Sequence, residues 1–158
     1  MTVSLWRGAS DTPDWSAEDM AGKGAAHKGA RWNAAGEHVT YTSASISLAA
    51  WETRAQLGTI GLRLPFNRIL IRIDVPDDIW AARETVARPL PVGWDVVPAA
   101  RVSRAIGSAW LAWASSALLC VPSVVINEEP NVLVNPAHAG AGWLSMQRVR
   151  RFIYDPRV

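Results

Sequence analysis

"KGARWNAAGEHVTYTS", residues 28–43, places an arginine, a tryptophan and an asparagine one Gly-containing turn away from a tyrosine and a row of hydroxyls. Its pattern reads as strand, turn, strand: "ARWN", "AAGEH", "VTYT". With an odd-length loop centred on Gly36, Asn33 falls opposite Val39 and Arg31 opposite Tyr41, within the short Cβ separation of facing antiparallel pairs. A two-residue turn at Ala35-Gly36 shifts the register and sends Arg31 and Tyr41 to opposite faces. The first alternative makes this stretch one wall of a polar site.

On the N-terminal side, "VSLWRG" reads as a short strand ended by Gly8. Residues 9–30, with Pro13, Gly22, Gly24 and Gly29, read as a loop with one helical turn near "DWSAEDM". On the C-terminal side, "SASISLAAWETRAQLG" reads as a helix with a serine N-cap and Gly58 just past its end. Leu48, Glu52 and Gln56 recur at i, i+4 and i+8, so the Glu52 carboxylate lies along a largely small and apolar stripe. A buried carboxylate must be paired, hydrogen-bonded or functional, because leaving it alone is costly.

"RILIRIDV" alternates as a half-buried strand does, and "DDIWAARETV" follows Pro76 with a helical turn or two. Helical spacing from Ala99 to Ser116 gives Val102, Ile106, Trp110 and Trp113 as an apolar face. "LLCVPSVVI" and "NVLVN" are β-rich runs joined by turn chemistry in "NEEP", with Pro122 marking an edge or a bulge. The tail "VRRFIYD" reads as a last strand. Strands predominate without regular βαβ alternation, so the expected class is α+β, with a bent, mainly antiparallel sheet and inserted helices.

The 158 residues suit a single domain over 1–158. An apolar share of 49% with 19% charged is ordinary globular usage, so a packed core is feasible. Nine tryptophans against two Phe and two Tyr serve first as core filling. A formal net charge of +2 points to neither nucleic acid nor membrane. No charged leader followed by an apolar core opens the chain, and no uninterrupted apolar run approaches the roughly 18 residues of a membrane span, so a cytoplasmic protein without membrane contact is expected.

His27, His38 and His138 form no close ligand pair, and Cys120 has no partner at metal spacing, so no metal site is expected. "GKGAAHKG" lacks both the phosphate-loop and the dinucleotide fingerprints, and no nucleophile elbow is present. The basic run "RVRR" at 148–151 reads as a solvated strand face, and direct nucleic-acid binding is not expected. What is left is a polar set in apolar surroundings: Arg31, Tyr41, Glu52 and Ser123.

The order "GARWN", "VTYTSASISLAAWE", "VPSVVI", "NVLVNPAH" and a closing "FIYDPRV" resembles the RES domain, a family named for its Arg, Glu and Ser, many members of which are toxins of bacterial toxin–antitoxin pairs. Residue by residue the resemblance places the family's functional side chains at Arg31, Tyr41, Glu52 and Ser123. Asn135 and Pro136 match its Asn-Pro pair, with Asn131 at the hairpin's return. Asn33, Ser43 and Asn135 are expected to bind substrate. Ala30 stands where the family commonly has Gly, and Gln56 where it often has His.

The resemblance implies a fold similar to the ADP-ribosyltransferase toxins and loss of NAD⁺ through cleavage of its nicotinamide–ribose bond, by water or phosphate. NAD⁺ is then substrate, with no cofactor or metal required. Such a cleavage builds positive charge on the ribose, which a fixed carboxylate at Glu52 stabilises. Arg31 would fork onto the diphosphate or the nicotinamide end, Tyr41 stack on the nicotinamide, and Ser123 orient the ribose or carboxamide. Transfer of ADP-ribose to a protein or nucleic acid is the enzymatic alternative, and a non-catalytic NAD-binding or interaction module the other. The resemblance further implies a helix-turn-helix antitoxin as partner, and a homodimer within that complex is an expectation of the same kind.

Overall fold

A computed structural model describes residues 2–57 and 64–157. The expectation for Gly58 lies outside the described residues. The elements are β1 (Thr2–Ala9), α1 (Lys23–Lys28), β2 (Thr40–Ser43), α2 (Ile46–Gln56), β3 (Ile69–Pro76), α3 (Asp77–Ala81), β4 (Glu84–Thr85), α4 (Arg101–Trp113), β5 (Leu118–Pro122), β6 (Pro130–Val134), a 3₁₀ segment (Ala139–Trp143) and β7 (Ser145–Arg151). The strands form one seven-stranded sheet in the order β4-β5-β6-β2-β1-β3-β7. Every pairing is antiparallel except β4 with β5, so the class is α+β as expected.

The apolar run of β5 follows from burial on both faces. Leu118 and Cys120 join one cluster with Leu5, Ile71, Ile73 and Val132, while Leu119 and Val121 join another with Trp32, Trp110 and Leu133. Alternate residues of a strand point to opposite faces, so a strand covered on both sides has no polar positions to spare. Pro122 sits at the mouth of the β5–β6 hairpin opposite Pro130, beyond the two residues of β4, and so disturbs no ladder on its other side. Burial raises the pKa of the Cys120 thiol, in keeping with a small core residue.

The hairpin expected across residues 30–42 does not form. Ala30 and Asn33 make only an isolated bridge, and Tyr41 in β2 pairs with Leu133 of β6. The buried Asn33 causes this: its Nδ2 donates to the carbonyls of Ala25, Ala34 and Glu37, all at 3.1 Å, and coils the chain over α1. A side-chain amide that satisfies backbone carbonyls competes with a strand ladder, and here it wins. Gly29 at φ 74° and Gly36 at φ 88° supply the left-handed turns that the coil needs.

Other expectations hold in place but shift in detail. Ser45 caps α2 by accepting from the Leu48 N–H at 3.0 Å. The helix in the first long loop lies at α1, not near "DWSAEDM". On α4 the buried positions are Ser103, Gly107 and Trp110, whereas Trp113, expected on the apolar face, is 83% exposed. The tail strand runs earlier than "VRRFIYD" suggests, ending at Arg151.

Gly107 sets how closely α4 approaches the coil at Trp32. A Cβ there would stand 1.6 Å from the Trp32 carbonyl oxygen, which belongs to backbone and cannot rotate away. Gly107→Ala should therefore lower the unfolding free energy by about 3 kcal/mol, despite alanine's better helix propensity. Urea denaturation of the two proteins measures it.

Candidate functional site

Strand β1 pairs with β3 along all of Thr2–Ala9, but meets β2 only at Trp6 and Ser43. Beyond that point β1 and β2 splay apart. A cavity of about 590 Å³ opens between them, walled by Trp6–Ser10 of β1 and its end, Val39–Ser43 around β2, the loop and α1 over residues 22–30, and Ala49, Glu52, Thr53 and Gln56 of α2. That volume lies within the usual range for small-molecule sites. Divergent strands also leave backbone N–H and C=O groups unpaired at the opening, where a polar ligand can meet them.

Glu52 is the best-anchored group on this wall. Its Oε1 accepts from Ser123 Oγ at 2.6 Å and from Asn131 Nδ2 at 2.6 Å. Ser123 Oγ in turn accepts the N–H groups of Val125 and Ile126, each at 3.0 Å, so the hydroxyl proton is left for Glu52. Asn131 Oδ1 accepts from Ser43 Oγ at 2.8 Å. Among the described residues no donor reaches Glu52 Oε2. One carboxylate oxygen is thus fixed, and the other is available to the cavity.

The wall carries Arg7, Lys23, Lys28 and Arg68 against Asp19 and Glu52, an excess of positive charge. Lys23 pairs with Asp19 at 3.3 Å. Arg7 has no carboxylate within ion-pair distance among the described residues, and its Nη1 reaches only the Asp19 carbonyl at 3.4 Å and the Met20 sulfur at 3.7 Å. Burial pushes its pKa down to about 10, with the Asp19 charge acting the other way. A half-buried guanidinium with weak partners keeps donors that an anion can use. Arg68 adds an Nε that is buried without a hydrogen-bond partner, while its Nη1 donates to Ser10 Oγ at 3.1 Å.

The residues singled out from sequence divide. Tyr41, Ser43 and Glu52 line the cavity, while Ser123 stands behind Glu52 as its hydrogen-bond donor. Arg31 is not on the cavity wall: its Nη1 donates to the carbonyls of Trp94 at 2.8 Å and Val96 at 2.9 Å. Tyr41 Oη accepts the Trp32 N–H at 3.1 Å and donates to Asn33 Oδ1 at 2.7 Å, which ties the cavity wall to the coil that replaced the hairpin. Burial raises the tyrosine's pKa, so it stays a neutral phenol. Asn135 is buried away from the cavity, bonding to the Ala117 and Leu111 carbonyls and to the Ala137 N–H.

Arg7 was not recognised as a site residue from sequence, although "VSLWRG" holds a signal for it. Leu5, Arg7 and Ala9 share one face of β1 by period two, and both neighbours are buried core residues. A charge at such a position needs a reason.

Loop residues 10–22 bring Trp15 and Asp19 to the cavity, and a clamp holds that loop against β7. Arg148 donates to both oxygens of Glu18, at 2.6 and 2.9 Å, and to both of Asp11, at 2.8 and 3.0 Å. Its charge is thereby engaged within the chain, on a strand face that is exposed throughout, as the reading of "RVRR" expects.

A splayed α+β sheet thus encloses a cavity that carries an excess of basic side chains and one half-fixed carboxylate, the form of a small-molecule site. The model of the RES domain matches residues 4–155, and the chain belongs to that family. A protein named Prs ADP-ribosylating toxin, from Sphingobium sp. (strain YBL2), is 47% identical over 160 residues, covering 100% of this chain and 98% of that one. A protein named Toxin Res, from Yersinia enterocolitica, is 32% identical over 143 residues, covering 90% and 91%. The crystal structure of the M. tuberculosis MbcT–MbcA toxin–antitoxin complex contains a chain with the same fold, at a TM-score of 0.68 and 16% identity, covering 95% of this chain and 85% of that one.

The clamp gives a pH test. Hydrogen bonds from Arg148 are the largest cause holding Asp11 and Glu18 below their ordinary values of 3.8 and 4.5. Carboxylates depressed in the folded state add stability that is fully present above the unfolded values and lost as pH falls through the folded ones. Arg148→Met should melt below the wild type at pH 7, and the gap should close as pH falls below about 4. Thermal melts across that window measure it.

Proposed function

We propose that this chain is a RES-family toxin that breaks the nicotinamide–ribose bond of NAD⁺ in the cavity between β1 and β2. The observation that carries the reading is Glu52, one oxygen held by Ser123 and Asn131 and the other left to a cavity whose wall also holds the unpaired Arg7. NAD⁺ presents a matching pair of features, an anionic diphosphate and a ribose that becomes cationic as the bond breaks.

In the proposed step the bond from ribose C1′ to the nicotinamide nitrogen breaks, and its electron pair leaves with nicotinamide, which becomes neutral. Positive charge then spreads over C1′ and the ring oxygen. Glu52 Oε2 accepts a ribose hydroxyl proton in a hydrogen bond and offsets that charge in a partly dry site, where a fixed carboxylate acts most strongly. Arg7 takes the diphosphate, a role that the sequence reading gave to Arg31. Arg31 instead holds the 94–96 segment, while Tyr41 offers its ring to the nicotinamide and its hydroxyl to the wall. An acceptor oxygen adds to C1′, and when it is water the surplus proton goes to solvent.

Transfer of ADP-ribose to a protein shares every step up to the acceptor. The name of the 47% identical relative favours that outcome. Incubation with NAD⁺ labelled in the adenylate half separates the cases: free ADP-ribose means water, phosphorylated ADP-ribose means phosphate, and labelled macromolecules mean transfer. A helix-turn-helix antitoxin is the proposed partner, supported by the fold shared with a chain solved in a toxin–antitoxin complex.

Glu52→Gln keeps shape but removes charge, and should slow nicotinamide release roughly 10²–10³-fold. Arg7→Gln should chiefly raise KM for NAD⁺. Normal turnover by a folded Glu52→Gln protein would overturn the proposal.

A further inference from the structure

We infer that Asn131, backed by Ser43, is a positioning residue that decides which oxygen of Glu52 meets the substrate. The inference rests on the NAD⁺-cleaving reading above. Asn131 lies in β6, in register with Ser43 of β2 on one side and Val121 of β5 on the other. Its side chain bridges two elements, accepting from Ser43 Oγ at 2.8 Å and donating to Glu52 Oε1 at 2.6 Å.

An ionised carboxylate only accepts hydrogen bonds, so an amide beside it must present its NH₂ end. That orientation turns Asn131 Oδ1 toward Ser43, whose hydroxyl supplies the matching donor. The Ser43–Asn131–Glu52 chain therefore has one polarity, and reversing the amide would set oxygen against oxygen. Ser43 is buried and cannot easily exchange this partner for water.

Ser123 alone would not fix the carboxylate. A single hydrogen bond leaves the group free to pivot about that contact, which swings Oε2 through the cavity. Asn131 supplies a second donor to the same oxygen, from a strand, while Ser123 approaches from the turn after β5. Two donors from separate backbone segments remove the pivot and aim Oε2 along one direction. The contribution is geometric: it acts on the transition state, where misplacement is most costly, and little on binding.

The expected result for Asn131→Leu, close in volume but without polar atoms, is a kcat about 10- to 100-fold lower with KM for NAD⁺ changed less than about twofold. Ser43→Ala should move kcat the same way and by less. In a Glu52→Gln background Asn131→Leu should cost nothing further, because no charge is left to aim. Should the leucine disturb folding, Asn131→Asp keeps the side-chain shape, sets acceptor against acceptor, and should show the same split between kcat and KM. A raised KM with unchanged kcat, losses that add to those of Glu52→Gln, or wild-type rates would each overturn the inference.

A crystal structure of either Asn131 variant gives a readout independent of turnover. The Glu52 carboxylate should rotate about its remaining bond to Ser123. Finding it in the wild-type orientation would overturn the inference. Should the wild-type chain leave NAD⁺ intact, the proposed function falls, while the orientation of Glu52 in that crystal still decides what Asn131 does.

Discussion

Strand β1 is zipped to β3 over its whole length and touches β2 at one residue, and most of what matters in this molecule follows from that asymmetry. A sheet that stayed paired across β1 and β2 would bury the backbone of both strands and leave no room for a ligand. The single contact at Trp6 and Ser43 keeps the two halves in one sheet while the strands diverge. The full ladder with β3 is what allows β1 to give up the ladder with β2. The open side then belongs to the cavity.

Charge follows the same geometry. Arg7 lies on the stretch of β1 that has left β2 behind, so its guanidinium, though on a core-facing register, opens on the cavity with the Asp19 charge near but beyond ion-pair distance. Glu52 reaches the same cavity from α2, a helix whose approach to β1 is so close that a Cβ on Gly8 would meet the Thr53 methyl at 3.0 Å. Neither group neutralises the other by direct contact. Each is held by its own surroundings, Glu52 by Ser123 and Asn131 and Arg7 by the Asp19 carbonyl and Met20. Opposite charges kept apart on one wall suit a ligand with an anionic part and a part that becomes cationic.

Local pattern made much of the architecture legible. The serine cap and four-residue recurrence of α2, the alternation of β3, the turn between β5 and β6 and the helical spacing of α4 all appear where the sequence puts them, within a few residues. Glu52 was legible for a related reason: a carboxylate on a small, apolar stripe stands out against its own helix. The coil at residues 29–37 was misread because Asn33, which looks like an ordinary strand-end residue, finds three carbonyls brought by α1 and by the turn. Trp113 was misread because its spacing matched the apolar face, yet at that end of the helix Trp110 and Leu111 meet the core while Trp113 is left in solvent.

Periodicity and capping act within a few residues of chain, and they are enough to set the α+β class, the order of the main elements and the residue types from which a site could be made. Which polar groups share a cavity was settled by long-range packing. It moved Arg31 to the carbonyls of a distant loop, raised Arg7 to the wall, and turned Ser123 and Asn131 into the two holders of one oxygen. The places of Arg31 and Glu52 depend on hydrogen bonds between residues 63 to 79 positions apart, and a bond over that separation leaves no periodic trace in the chain that makes it.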